Sequence, residues 1–292
     1  MNLWQHIAAQ ISDINGSPFE PHPPSLVGGG CINQALKLTD GCQHWFVKIN
    51  DADRIDMFEA EAEGLNAMAD TQTIRVPKAL CTGTYENQSY IVIDYISHGR
   101  SRNDSQEQAG NELAAMHRHT AERFGWHRNN TIGATHQRND WTDTWIDFWR
   151  DHRLGFQLQL AAGNGHGGRL QSSGEQLLLR FDALINHNPE PSLLHGDLWG
   201  GNITFDTEGH PVIFDPAVYY GDREADLAMT ELFGGFSNDF YAAYREAWPV
   251  DPGYRVRRQL YNLYHILNHL NLFGGGYAGQ AQGLIDRLLA EC

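Results

Sequence analysis

The 292-residue chain is short of cysteine, of positive charge and of long apolar runs, and each shortage excludes something. Its four cysteines, Cys31, Cys42, Cys81 and Cys292, are scattered without a C-x-x-C pair, so neither a zinc cluster nor a disulfide framework is signalled and reduced thiols in the cytoplasm are expected. Lys plus Arg number 21 against 36 Asp plus Glu, a formal charge of −15, which argues against a nucleic-acid partner. Nowhere do about 18 apolar residues run together, and Met1–His6 has no basic segment leading into an apolar one, so neither a membrane span nor secretion is expected. What is present, 41% hydrophobic and 11% aromatic residues, suffices for one large or two ordinary folded domains.

The texture changes along the chain. Residues 3–11 space Leu3, Trp4, Ile7, Ala8 and Ile11 as an amphipathic helix. From Leu26 to Asn50, short strand-like pieces alternate with glycine-bearing turns, which predicts an antiparallel meander. Ile55, Phe58, Ala62, Leu65 and Ala69 then mark a helix over 54–69, followed by strands at Ala79–Gly83 and Ser89–Ile96. The polar stretch Ser97–Asn103 reads as a boundary, giving a β-rich lobe over 1–96 and a mainly helical lobe over 97–292. In the second lobe Leu113, Met116 and His117 mark one helix, Leu177, Phe181, Leu184 and Ile185 another, and Leu260–Leu270 a long apolar stripe. Two β-like fragments, Leu193–His195 and Val212–Asp215, sit between them.

The chemistry concentrates in His195-Gly196-Asp197-Leu198-Trp199-Gly200-Gly201-Asn202 and Ile213-Phe214-Asp215-Pro216. Phosphoryl transfer needs a carboxylate facing the acceptor hydroxyl and oxygen ligands for a divalent cation; H-x-D-x-x-x-x-N followed by an aspartate at a strand end supplies both. With each residue type near 5%, His, Gly, Asp and Asn at the offsets of 195, 196, 197 and 202 would arise by chance in about one such sequence in five hundred, so chance is set aside. His195 reads as a loop-holder bonded to backbone carbonyls. Upstream, Gly28-Gly29-Gly30 between two strands and Lys48 at the end of Phe46-Val47-Lys48 offer backbone donors and a cation for phosphate oxygens. Of the carboxylates on the next helix, Glu61 is expected to hold Lys48, with Glu59 second.

In this order the residues resemble the fructosamine kinase (ketosamine-3-kinase) family, within the aminoglycoside-phosphotransferase and protein-kinase-like superfamily. Gly28–Ile32, Phe46–Lys48, Met57–Glu61, Leu194–Asn202 and Asp215–Gly221 carry the likeness, with His152-Arg153-Leu154, Met229–Phe236 and Leu267-Asn268-His269 as further matches. The resemblance implies an α+β bilobal kinase-like fold and transfer of the ATP γ-phosphoryl to the 3-hydroxyl of a ketoamine, free or on a glycated protein, which promotes deglycation. It implies that Asp197 is the base or orienter, that Asn202 and Asp215 hold Mg²⁺, that Lys48 meets the phosphates and Glu61 orients it, and that Asp94-Tyr95-Ile96 is the adenine hinge. Trp199 is a stacking face for the sugar or, equally, a core aromatic bracing the loop; Asp222 and Asp226 brace the loop or meet a cationic amine. Asp215-Pro216-Ala217 in place of Asp-Phe-Gly, with no Ala-Pro-Glu after it, argues against a phosphorylation-gated activation segment. Cys31, beside phosphate-binding amides, would suit a redox-sensitive thiol. Another small hydroxyl acceptor, aminoglycoside- or choline-like, and a catalytically idle kinase-like binding module are the competing readings.

Overall fold

A computed structural model describes residues 2–28 and 32–292. The chain divides into two compact units, Met1–Ser105 with Thr204–Asp215, and Gln106–Ile203 with Pro216–Cys292.

The first unit is built on a five-stranded antiparallel sheet: β1 (Ser25–Leu26), β2 (Gln34–Thr39), β3 (His44–Asp51), β4 (Ala79–Tyr85) and β5 (Gln88–Asp94), in the order β1-β2-β3-β5-β4. Helix α1 (Leu3–Asn15) starts at a reciprocal cap between Asn2 and Gln5 and ends where Gly16 turns left-handed at φ 67. Its Leu3, Ile7 and Ile11 pack with Leu36, Leu38, Val47, Ile49, Tyr90 and Val92. Because side chains alternate across a strand, Lys48 points away from the face occupied by Val47 and Ile49. Helix α2 (Ile55–Asp70) provides the partner it finds there.

The expected boundary after Ile96 falls elsewhere. The first unit runs on to Ser105 and takes in 204–215 because backbone bonds tie the two stretches. The Gly99 N–H donates to Phe205 O at 2.8 Å, Ser105 Oγ to Gly209 O at 2.5 Å, and Arg102 Nη1 to Glu208 O at 2.8 Å.

The second unit contains α3 (Ser105–His117, from Gln106 on), the hairpin β6 (Asn130–Ile132) and β7 (Thr135–Gln137), and α4 (Trp145–Phe148). A π-helical stretch, Trp149–Gly155, runs into α5 (Phe156–Gly163), and α6 (Arg169–Leu178) follows. β8 (Ser192–Leu194) precedes the hairpin β9 (Ile203–Phe205) and β10 (Pro211–Ile213), of which 204–213 belong to the first unit; β11 (Tyr219–Gly221) then pairs antiparallel with β8. The chain closes with α7 (Glu224–Leu232), α8 (Asn238–Ala247), α9 (Tyr254–Phe273) and α10 (Tyr277–Glu291). α9 is the spine, buried from Leu260 to Asn268. The single helix expected through Leu177–Ile185 is two elements: α6 stops at Leu178, and Phe181–Leu184 form a separate 3₁₀ turn that buries Phe181 and Leu184. The hairpin β6–β7 and the π-helical stretch escaped the sequence reading, their strands being only three residues long.

Candidate active site

In the first unit Lys48, Glu61 and Asp215 form one ionic cluster. Lys48 Nζ lies 2.7 Å from Glu61 Oε1 and 2.5 Å from Asp215 Oδ1. Of the two carboxylates considered on α2, it is Glu61 that takes this bond. Lys48 and Glu61 are both about nine-tenths buried, whereas the Asp215 side chain is 45% exposed. Burial alone would lower the Lys48 pKa, but the two carboxylates outweigh it and hold the ammonium well above its ordinary value. Burial raises the Glu61 carboxyl and Asp215 adds to the rise, against the pull of Lys48. Asp215 itself has φ 57, a left-handed conformation that a non-glycine residue takes at a cost and one found where function sets the backbone. The strand leading to it is fastened: the Ile213 N–H donates to Arg75 O at 3.0 Å, and Arg75 Nη1 reaches Asp206 Oδ2 at 2.5 Å.

Two further elements of the first unit carry expected nucleotide contacts. Gly28 is exposed, and no described atom lies within 4 Å of where a Cβ would stand, so packing does not demand the glycine. Gly29, Gly30 and Cys31 lie outside the described residues. Asp94 ends β5, where its N–H donates to Lys78 O and its Oδ2 accepts the Lys78 N–H, both at 3.0 Å. Its backbone N–H is thereby committed to the protein, which narrows the expected hinge donors to Tyr95 and Ile96. Lys37 Nζ stands over the Tyr95 ring at 4.2 Å.

In the second unit the loop 195–202 is held chiefly through its backbone. Asp226 Oδ2 accepts the His195 N–H at 2.7 Å, and its Oδ1 accepts the Gly196 N–H at 2.8 Å. Burial works to raise the Asp226 pKa, but its bond and attraction to His117, with the loop N–H groups, bring it below the ordinary carboxylate value. His117, fully buried on α3, sits 3.1 Å from Asp226 Oδ2 through Nε2 and 2.8 Å from Tyr244 OH through Nδ1. His195 differs from its expected role in one respect: its Nδ1 accepts the Asp197 N–H at 3.2 Å, so at this atom it serves a donor, not a carbonyl.

Asn202 folds back onto Asp197. Its Nδ2 donates to Asp197 O at 2.8 Å and to Asp197 Oδ2 at 3.2 Å. With the amide nitrogen turned inward, Oδ1 is the atom of Asn202 suited to a cation, and its partner in the expected pair, the Asp215 carboxylate, is also a hard oxygen donor. Gly200 and Gly201 have steric reasons. A Cβ on Gly200 would stand 2.6 Å from Gly234 O, and one on Gly201 would stand 2.3 Å from the Trp199 ring. Trp199 is 39% exposed, which removes the reading of it as a core aromatic, and it meets Phe233 edge-on at 6.1 Å. Asp222 faces inward, accepting Tyr261 OH at 2.5 Å and lying 2.7 Å from His187 Nε2. Buried as they are, neither Asp222 nor Asp226 is placed to meet a cationic amine.

The bonds of His117 to Asp226 and Tyr244 were invisible in the sequence, since the partners lie more than 100 residues apart, although His117 falls on the helix that Leu113 and Met116 mark.

The chain matches the fructosamine kinase family over residues 3–291. It is 52% identical over 287 residues, 98% of this chain and 97% of the other, to a "Probable ketoamine kinase" of Synechocystis sp.. A chloroplastic protein-ribulosamine 3-kinase of Oryza sativa subsp. indica is 45% identical, over 91% of this chain and 78% of that one. The crystal structure of a protein from Haemophilus somnus 129PT, assigned as a fructosamine-3-kinase, superposes with a TM-score of 0.90 at 29% identity, over 99% of this chain and 100% of that one. With its β-rich first unit, mainly helical second unit and kinase loop residues, the chain belongs to the fructosamine kinase family.

Proposed function

We propose that the chain is an ATP-dependent ketosamine 3-kinase, transferring the γ-phosphoryl of ATP to the 3-hydroxyl of a ribulosamine or fructosamine adduct, free or on protein lysine, and so promoting deglycation. The observation that carries this reading is the Asp197–Asn202 pair, fixed on a loop whose backbone N–H groups are bonded to a buried carboxylate. Asp197 accepts or orients the proton of the acceptor hydroxyl as its oxygen attacks the γ-phosphorus and the bond to the ADP leaving oxygen breaks. Lys48, held by Glu61, meets the phosphate oxygens, with the loop at Gly28, Gly29 and Gly30 offering backbone donors. The segment Asp94-Tyr95-Ile96 offers backbone groups to adenine, the Asp94 N–H being already bonded to Lys78 O.

Asn202 and Asp215 are the residues that would hold Mg²⁺, which supplies neutralisation of the phosphate charge when bound. Asp215 meets Lys48 at 2.5 Å, so this carboxylate would serve both the ammonium and the metal. Trp199 presents an exposed ring on which the apolar face of a sugar can stack. Ketoamine and protein-ribulosamine names among the relatives favour this acceptor over an aminoglycoside or choline. Free thiols at Cys42, Cys81 and Cys292 suit a reducing compartment such as the cytoplasm, and among the described residues no helix is long and apolar enough to cross a membrane.

The test is ADP release from Mg-ATP with ribulosamine, fructosamine, aminoglycoside and choline supplied separately. A 3-phosphorylated ketoamine, located by NMR and mass spectrometry, is the expected product. Turnover on an aminoglycoside or choline alone would replace the substrate, and ATP binding without turnover on any would favour the binding-module reading.

A further inference from the structure

The hairpin β6–β7, the π-helical stretch and α9 send an unusual number of polar side chains into the interior of the second unit. Asn130, Gln137, Asn139 and Arg153 are all at least nine-tenths buried. They form one connected set. Arg153 Nη2 donates to Asn139 Oδ1 at 2.8 Å, and Asn139 Nδ2 donates to Asn130 Oδ1 at 2.8 Å. Gln137 Nε2 donates to the same Asn130 oxygen at 2.8 Å, and Tyr264 OH donates to Gln137 Oε1 at 2.6 Å.

Two of the set's bonds reach backbone carbonyls of the segment after Asp215. Asn130 Nδ2 donates to Val218 O at 2.9 Å, and Gln137 Nε2 donates to Ala217 O at 3.1 Å. Ala217 in turn holds the catalytic loop: its N–H donates to His195 O at 2.8 Å, and a Cβ on Gly196 would stand 2.1 Å from Ala217 O. The anchor of the set is Arg153, a fully buried guanidinium for which no carboxylate partner is found among the described residues. It lies 4.5 Å over the Phe148 ring and 4.1 Å over that of Tyr219, and Nη1 donates to Arg138 O at 2.5 Å.

Filling this volume needs only apolar side chains, which would bury without the desolvation cost of three amides and a cation. Apolar packing, however, is indifferent to a small slip of a carbonyl, whereas a directed N–H···O bond weakens steeply with misalignment. We infer that Gln137 and Asn130, anchored by Arg153, are positioning residues for phosphoryl transfer: they fix the carbonyls of 217 and 218 and, through Ala217, the seat of the loop that carries Asp197. The inference rests on the kinase reading for its catalytic half, while its structural half is testable without substrate.

The test compares the full-length parent with Gln137→Met, which keeps the volume and loses both hydrogen-bonding ends, and with Arg153→Lys, which keeps the charge and loses the fork. Amide hydrogen exchange, thermal midpoint and steady-state kinetics on Mg-ATP and a ribulosamine are measured on each. The expected result for Gln137→Met is faster exchange confined to the Ala217 amide and the 195–197 segment, amides of α9 and α10 unchanged, and kcat about tenfold lower with KM for ATP unchanged. Arg153→Lys should fall between that variant and the parent. Should Gln137→Met fail to fold, Gln137→Asn, one methylene shorter, carries the same comparison. Unchanged exchange at Ala217, faster exchange there with parental kcat, or a uniform rise in exchange with kcat per folded molecule intact would each overturn the positioning role. A parent that turns over no ketoamine would defeat the kinase reading, leaving the exchange comparison to decide the structural half.

Discussion

The two units hold their chemical groups by opposite means. In the first, Lys48, Glu61 and Asp215 fix one another side chain to side chain, charge against charge, in a setting where two of the three are nearly dry. In the second, Asp197 is fixed largely through the backbone that precedes it: Asp226 grips the two preceding N–H groups and Ala217 the His195 carbonyl. On the proposed reading, the ionic cluster meets a polyphosphate through its one exposed member, Asp215, while the buried Lys48–Glu61 pair stays in place. A backbone-held loop suits a carboxylate that must stand at one fixed distance from an attacking oxygen, where small displacements are costly in rate.

The largest effect should come from the residue that the second arrangement serves. Asp197→Asn is expected to lower kcat by about 10² to 10⁴ while leaving ATP affinity and the thermal midpoint near parental, since the loop's backbone bonds survive. Calorimetric ATP binding beside steady-state kinetics checks it. The ionic cluster should break differently. Lys48→Met strands the buried Glu61 beside Asp215 and should cost about 3 to 5 kcal/mol of stability as well as activity. Adding Glu61→Gln should restore much of the stability and none of the activity; a denaturant series on the single and double variants separates the two.

Asp226→Asn probes the backbone grip. It places an amide N–H₂ against a loop N–H, leaves a buried donor unmet, and should cost about 1 to 3 kcal/mol of stability together with a kcat loss at unchanged KM for ATP. The mildest test concerns the spine. Burial depresses the pKa of His265 on α9 to about 3, with His269 adding to the fall. A histidine neutral in the fold and titrating normally when unfolded supports stability fully above about pH 6.5 and withdraws that support as pH falls toward 3, by at most about 1.4 kcal/mol per pH unit. Denaturant midpoints measured from pH 7 to 4 should show this slope in the parent and its reduction in His265→Leu.

Legibility followed sequence distance. The string from His195 to Asn202 could be read directly because one loop carries the acid, the amide and three glycines, and a fixed spacing survives any packing. Lys48 could be read from its place at the end of a strand-like run, and Glu61 is favoured over Glu59 there, but the contact between Lys48 and Glu61 is made only by the fold. The boundary at Ile96 missed because the pull of residues 204–215 into the first unit is made by backbone bonds that no local pattern encodes.

By itself the sequence carried the resemblance to the family, the β-rich then helical order and the candidate chemistry-bearing residues, because motifs and periodicity are properties of neighbours along the chain. The tertiary structure alone decided that Asp226 and His117 brace the loop, that Trp199 stands open instead of buried, and that Arg153 anchors a polar network ending on Ala217 and Val218. These are meetings of residues some 30 to 110 positions apart, or an exposure set by what packs nearby. A buried polar group is defined by the partner the fold brings to it, and that partner is written nowhere in its own surroundings along the chain.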